Sequence, residues 1–174
     1  MNLNRIFVRT CSSRTGVAAA AVLAALASVA PSSARAQAAP PLAADARIFT
    51  LGGSVTEIVF ALGLGDQVVA VDASSDFPAR VTELPQVGYY RTLSAEGLLS
   101  LKPDLILGTE ASGPPPVIDL LRRAGVRVEL IDDAYGPAQI PVNIERVADV
   151  LGVPERGAEL AAGVRADFER VTEI

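Results

Sequence analysis

Residues 86–97 read QVGYYRTLSAEG and set two of the chain's three tyrosines side by side, after a glycine and before Arg91. The chain has no histidine and no tryptophan. A Tyr89-Tyr90-Arg91 cluster therefore sets two of the three phenols and a guanidinium together on one loop. A phenol offers a ring face and a hydroxyl, and a guanidinium offers a planar fork of donors. Such a cluster reads as a ligand contact, or as two tyrosines packing a surface loop; spacing leaves both open. Other candidates carry less. Glu57, Glu96, Glu110 and Asp132 could be paired for acid–base work, but no spacing fixes their mutual distances, and each also reads as a cap, a docking residue or a solvated charge. Gly52-Gly53, ahead of a helical pattern, could cradle an anion on backbone amides. The G-x-G-x-x-G fingerprint of a dinucleotide loop is absent there, because GLG at 63–65 ends a helix rather than starting one.

Composition narrows where this chemistry takes place. Residues 1–16 carry Arg5, Arg9 and Arg14, and the run VAAAAVLAALASVA at 17–30 is uncharged. That run falls short of the ~20 apolar residues of a membrane span, and Ala34-Arg35-Ala36 supplies a small-residue cleavage site. Residues 1–36 are expected to be a cleaved signal peptide, with an N-terminal membrane anchor as the alternative. Cys11 precedes the apolar run, so it is not the acylated cysteine of a processed lipoprotein. Past residue 36 there is neither cysteine nor histidine. Disulfides, Cys/His zinc sites and Ser-His or Cys-His nucleophiles are thereby excluded. Four of the 15 basic residues lie in the signal, which leaves 11 against 20 acidic ones and a net charge of −9. That balance argues against nucleic acid or anionic lipid as partner.

Beyond a low-complexity leader at 37–46, expected to be flexible, the pattern alternates. RIFTL (47–51), QVVAV (67–71), DLILG (104–108) and VRVELI (126–131) read as short buried strands. Between and after them come helical stretches. The first follows Ser54-Val-Thr-Glu57, which has the form of a capping box, and stops at Gly63. The others lie at 94–101, 116–125, 141–152 and 154–174, the last with Pro154 at its first position. Strands alternating with helices specify an α/β fold with a Rossmann-like parallel sheet flanked by helices. Ligands of such sheets bind beyond the carboxyl ends of the strands. That rule gathers Gly52-Gly53-Ser54, 72–77, the tyrosine turn, 109–115 and 132–136 on one rim.

The stretch VGYYRTLSAEGLLSLKPDLIL resembles the haem-binding periplasmic proteins of bacterial haem ABC importers, in the binding-protein class that also serves cobalamin and ferric siderophores. LGGSVTEIVFALGLGDQVVAV, SSDFP and L-x-x-L-K-P-D-L-I-L carry the class, over almost the whole chain past the leader. G-Y-x-R-T-L-S-A-E-G carries the haem subgroup. The resemblance implies that Tyr89 is the axial ligand to haem iron, while Tyr90, at the variable position, packs its ring. Ferric iron suits an anionic phenolate, and tyrosine is among the known axial haem ligands. Arg91, two residues on in an extended turn, is expected on the same side, favouring the phenolate or pairing with a haem propionate.

The same resemblance implies a non-enzymatic periplasmic protein for iron acquisition. It would take haem as its transported ligand, hand it to an inner-membrane ABC permease, and stand downstream of an outer-membrane haem receptor. In cobalamin and siderophore relatives a glutamate six residues before the Lys-Pro pair docks on the permease; here that residue is Glu96. Members have two lobes joined by a long helix. Residues 47–152 correspond to the N-terminal lobe and 154–174 to the start of the inter-lobe helix, so a truncated chain is expected. The alternatives are a siderophore or cobalamin carrier and, more remotely, an exported enzyme with a nucleotide-binding loop.

Overall fold

Four short apolar runs form the sheet. In the computed structural model, which describes residues 42–172, they are β1 (Ile48–Leu51), β2 (Val68–Val71), β3 (Leu105–Thr109) and β4 (Arg127–Ile131). All pairings are parallel, in the order β2-β1-β3-β4. Every residue of the two inner strands, β1 and β3, is buried. This is why they read as continuous apolar runs rather than alternating ones. The expected signal peptide and the leader up to residue 41 lie outside the described residues.

The helices are α1 (Gly53–Ala61), α2 (Ala95–Ser100), α3 (Pro115–Arg123), α4 (Gln139–Leu151) and α5 (Pro154–Thr172). Two cores result. Val55, Val59 and Leu62 of α1 and Val147, Val150 and Leu151 of α4 pack with Ile48, Leu105 and Leu107 on one face. Leu98 of α2 and Ile118 and Leu121 of α3 pack with Phe49, Leu51 and Ile106 on the other. The connections leaving β1 and β3 thus go to opposite faces, opening a crevice between these neighbours at their carboxyl ends. Among the described residues no helix is long and apolar enough to cross a membrane.

Local chemistry sets the boundaries. Arg47 lies just before β1: its guanidinium donates to the carbonyls of Leu101 and Lys102, closing the end of α2, and its amide donates to Asp104 at 2.8 Å. Gly152 at φ 75° ends α4 in the left-handed region and lets α5 turn back onto it. The two helices approach closely at Gly157, where an added Cβ would fall 2.3 Å from that of Ala148.

Three expectations change. The capping box does not form: α1 begins at Gly53 with Gly52 as N-cap, so Ser54 already lies inside the first turn, with no side-chain cap bond. Ser94 does occupy the N-cap of α2, again without a side-chain bond. The flexible leader ends earlier than expected, since Leu42 packs against the first core and Ala46 is buried. Within the long loop after β2, residues 79–83 form a 3₁₀ turn, and residues 85–87 run parallel beside Val71 through two backbone bonds. These pieces are too short for a hydrophobic period to announce them.

Candidate functional site

The rim at the carboxyl ends is organised around a carboxylate. Asp72, immediately after β2, is fully buried. Its Oδ1 accepts from the Gly52 amide and the Ser75 hydroxyl, both at 2.8 Å. Its Oδ2 accepts from the Ser74 amide at 3.0 Å and the Ser74 hydroxyl at 2.6 Å. Thr56 Oγ1 lies 2.7 Å from Ser75 Oγ and donates to Thr50 Oγ1. A buried charge is tolerated when donors saturate it in this way. The network joins β1, β2 and α1 beneath the rim. It also answers the anion-cradle reading: the Gly52 amide that would meet a phosphate is already taken by a carboxylate.

From this base the chain rises to the tyrosine turn. The Ala73 amide donates to the Gly88 carbonyl at 2.8 Å. Gly88 has φ 92°, a left-handed value that favours glycine. Thr92 N–H then donates to Tyr89 O at 2.9 Å, closing a turn over 89–92. Two further bonds fasten it to the β3–α3 loop, Gly113 N–H to Tyr90 O at 2.9 Å and Leu93 N–H to Gly113 O at 2.8 Å. The turn therefore crosses from the β2 side to the ends of the central strands.

Arg91 has a second partner in this turn. Arg91 Nε donates to the Tyr90 hydroxyl at 2.9 Å, and its guanidinium lies 5.2 Å from the Tyr90 ring centre. Tyr90 is half-buried against the second core, with its ring centroid 4.7 Å from that of Tyr89 in an edge-to-face pair. Tyr89 itself is 45% exposed. Hydrogen bonding with the Tyr90 hydroxyl, then partial loss of water, hold the Tyr89 phenol above its ordinary 10.0. The Tyr90 and Asp72 charges push the same way, and Arg91 alone pulls down. Arg91 thus bonds Tyr90 while its charge also reaches Tyr89, and the balance favours the protonated Tyr89 phenol.

Around the turn the rim is aromatic. Phe77, Tyr89 and Tyr135 are exposed, and all three stand on loops that follow β2 or β4. The other exposed large apolar residues among those described, Leu120, Val142 and Val171, lie on helices. Sequence reading placed loops 72–77 and 132–136 on this rim but singled out neither Phe77 nor Tyr135. The usable signal was an aromatic beside a turn-forming proline or glycine, in DFP and YGP. Glu57, Glu96, Glu110 and Asp132 are all exposed and sit on α1, on α2, after β3 and after β4, with no bond joining them. No group of three or more His, Cys, Asp or Glu among the described residues could hold a metal ion.

This architecture has known counterparts. A family model described as "Periplasmic binding protein" matches residues 48–174. The chain belongs to that periplasmic binding protein family. The vitamin B12-binding protein of Vibrio cholerae is 37% identical over 127 residues, covering 73% of this chain and 45% of that protein. Among solved structures, the periplasmic heme-binding protein RhuT from Roseiflexus sp. RS-1 superposes with a TM-score of 0.70. It is 46% identical and covers 72% of this chain and 48% of its own. A periplasmic heme-binding protein from Pseudomonas aeruginosa gives a TM-score of 0.70 at 41% identity, over 73% of this chain and 46% of that one. The chain thus spans about half the length of these relatives. In this periplasmic binding protein the β1/β3 crevice and its aromatic rim are the face where ligands of such sheets bind.

Proposed function

We propose that the chain captures haem in the periplasm with the rim around Tyr89, and delivers it to an ABC permease for import. The observation that carries this reading is the exposed Tyr89 phenol, held by backbone bonds on the ligand-binding rim within the G-Y-x-R turn. A ring that shares its rim with other exposed aromatics suits a flat apolar macrocycle, and a phenol oxygen suits ferric iron. The two solved periplasmic heme-binding relatives, at 46% and 41% identity, support the same cargo.

Each residue has a distinct task in this reading. Tyr89 gives up its proton and supplies an anionic oxygen to the iron. Tyr90 buttresses it edge-on. Arg91 holds the Tyr90 hydroxyl in the free state and is within the turn's reach of a haem propionate in the bound one. Glu96, exposed on the first turn of α2, docks on the permease. Periplasmic residence requires the signal peptide expected at 1–36.

The 37% identity to the vitamin B12-binding protein supports a second reading, a corrinoid cargo. Absorption titration with hemin and, separately, with cyanocobalamin tests both. Haem binding gives a shifted Soret band and a phenolate-to-iron charge-transfer band that Tyr89→Phe abolishes. Saturable binding of cyanocobalamin with no hemin response would replace haem by a corrinoid.

A further inference from the structure

Tyr135 is 93% exposed, at the tip of the loop between β4 and α4. A tyrosine ring ordinarily buries much of its 150–250 Å², so one left almost wholly in water has no use for its apolar face within the chain. Its surroundings are not featureless. An open depression of about 280 Å³, walled by Asp133, Tyr135, Gly136, Pro137 and Gln139, lies beside it. The Asp133 charge on this loop also reaches Arg91 of the tyrosine turn. Strands β2 and β4 are the two edges of the sheet, three strand spacings or about 14 Å apart. The tyrosine turn is fastened over the middle of that span by the bonds of Tyr90 and Leu93 to Gly113, and Tyr135 rises from its far edge.

We propose that Tyr135 is a second ligand-binding residue, whose ring face stacks on the outer part of a planar tetrapyrrole seated at Tyr89. The role rests on the haem reading above and adds to it a contact with the macrocycle that does not involve the iron. A ring on a Tyr-Gly-Pro tip can turn to lie along a flat surface, with only two side-chain torsions to fix. The ligand class follows: a flat conjugated ring gains from stacking, whereas a puckered corrin fringed with amides gains little.

The test uses hemin and metal-free protoporphyrin IX, which offers the same ring face without iron, on the unaltered chain and on Tyr135→Ala, Tyr135→Phe and Tyr89→Phe. Melting curves establish that the variants fold. Tyr135→Ala is expected to weaken both ligands about three- to tenfold, the range for one aromatic pair. Tyr135→Phe should match the parent on both, and Tyr89→Phe should lose hemin far more than protoporphyrin. Unchanged binding of both ligands by Tyr135→Ala overturns the assignment, as does a Phe variant as weak as Ala, or a loss confined to hemin. Failure of the unaltered chain to bind either porphyrin would instead remove the haem reading beneath it.

Discussion

The Gly113 amide donates to the Tyr90 carbonyl at 2.9 Å, and the Leu93 amide returns a bond to the Gly113 carbonyl at 2.8 Å. This reciprocal pair ties two loops that are 20 residues apart in sequence and start from different strands. It makes the tyrosine turn part of the scaffold, the pre-ordering a ligand site needs so that binding does not bear the ordering cost. Amide hydrogen exchange checks it. Leu93 and Gly113 should exchange with strand-like protection although both lie in loops, while Ala134–Gly136 on the exposed tip exchange fast. Equal rates in the two loops would mean that the turn opens freely.

Asp72 should matter to stability out of proportion to its size. Its carboxylate accepts four hydrogen bonds, from Gly52, Ser75 and twice from Ser74. Replacing it by alanine strands these donors below the rim, and each unsatisfied buried group costs about 1–3 kcal/mol. Urea unfolding of Asp72→Ala should show a loss of about 3 kcal/mol or more. The isosteric Asp72→Asn, which turns an NH₂ toward donors, should still lose more than about 1 kcal/mol. A loss within experimental error for both would mean that water replaces the network without cost.

Much of this arrangement was legible in the sequence, and the parts that were not share a cause. Strand positions and helix identity followed from apolar runs, glycine stops and Pro154, because these signals are local or periodic. The capping box at Ser54-Glu57 failed because a non-local partner intervened: Asp72, 20 residues away, holds the Gly52 amide, and the helix starts at Gly53. The Arg91–Tyr90 hydrogen bond was missed for a related reason. The Thr92–Tyr89 bond closes the turn, and a reading based on extended spacing does not show that Arg91 bonds its immediate neighbour. Spacing locates a residue on the rim; hydrogen bonds between loops decide where it points.

The Tyr89 phenol should ionise only above its ordinary 10.0. Hydrogen bonding with Tyr90 is the main cause, with partial desolvation and the charges of Tyr90 and Asp72 adding to it. All of these favour the neutral, protonated form, so the sign is upward. Arg91 opposes them, and Arg91→Ala should move the transition higher still. Phenolate difference absorbance against pH on the ligand-free chain reads this directly, with Tyr89→Phe identifying the step. A Tyr89 midpoint below 10.0, or a downward move in Arg91→Ala, would contradict the electrostatics described for the turn.

Two glycines of α5 should respond oppositely to the same substitution. Alanine is preferred to glycine inside a helix by about 1 kcal/mol, and at Gly163, where an added Cβ meets nothing within 4 Å, Gly163→Ala should stabilise by up to that amount. At Gly157 the same methyl would fall 2.3 Å from the Ala148 Cβ and force α5 away from α4. Overpacking of this kind costs about 1–3 kcal/mol, enough to outweigh the propensity gain. Melting temperatures of the two variants should therefore straddle that of the parent. Stabilisation in both would mean that the α4–α5 contact is looser than the Gly157–Ala148 approach requires.

Glu96 gives a prediction that separates cargo binding from delivery. It is exposed on the first turn of the six-residue α2, where a carboxylate complements the helix dipole by about 0.3–1 kcal/mol. That role alone predicts a small stability loss in Glu96→Ala and nothing more. A docking role predicts a further effect on transport, because an exposed charge at the rim of an interface acts mainly on encounter rate. Hemin titration of Glu96→Ala should match the parent. Initial uptake into vesicles carrying the cognate permease should slow, and the deficit should shrink as salt screens the attraction in both proteins. Glu96→Asp, which keeps the charge on a shorter arm, should recover part of the rate. Uptake by Glu96→Ala equal to the parent at both low and high salt would leave Glu96 with its helix alone.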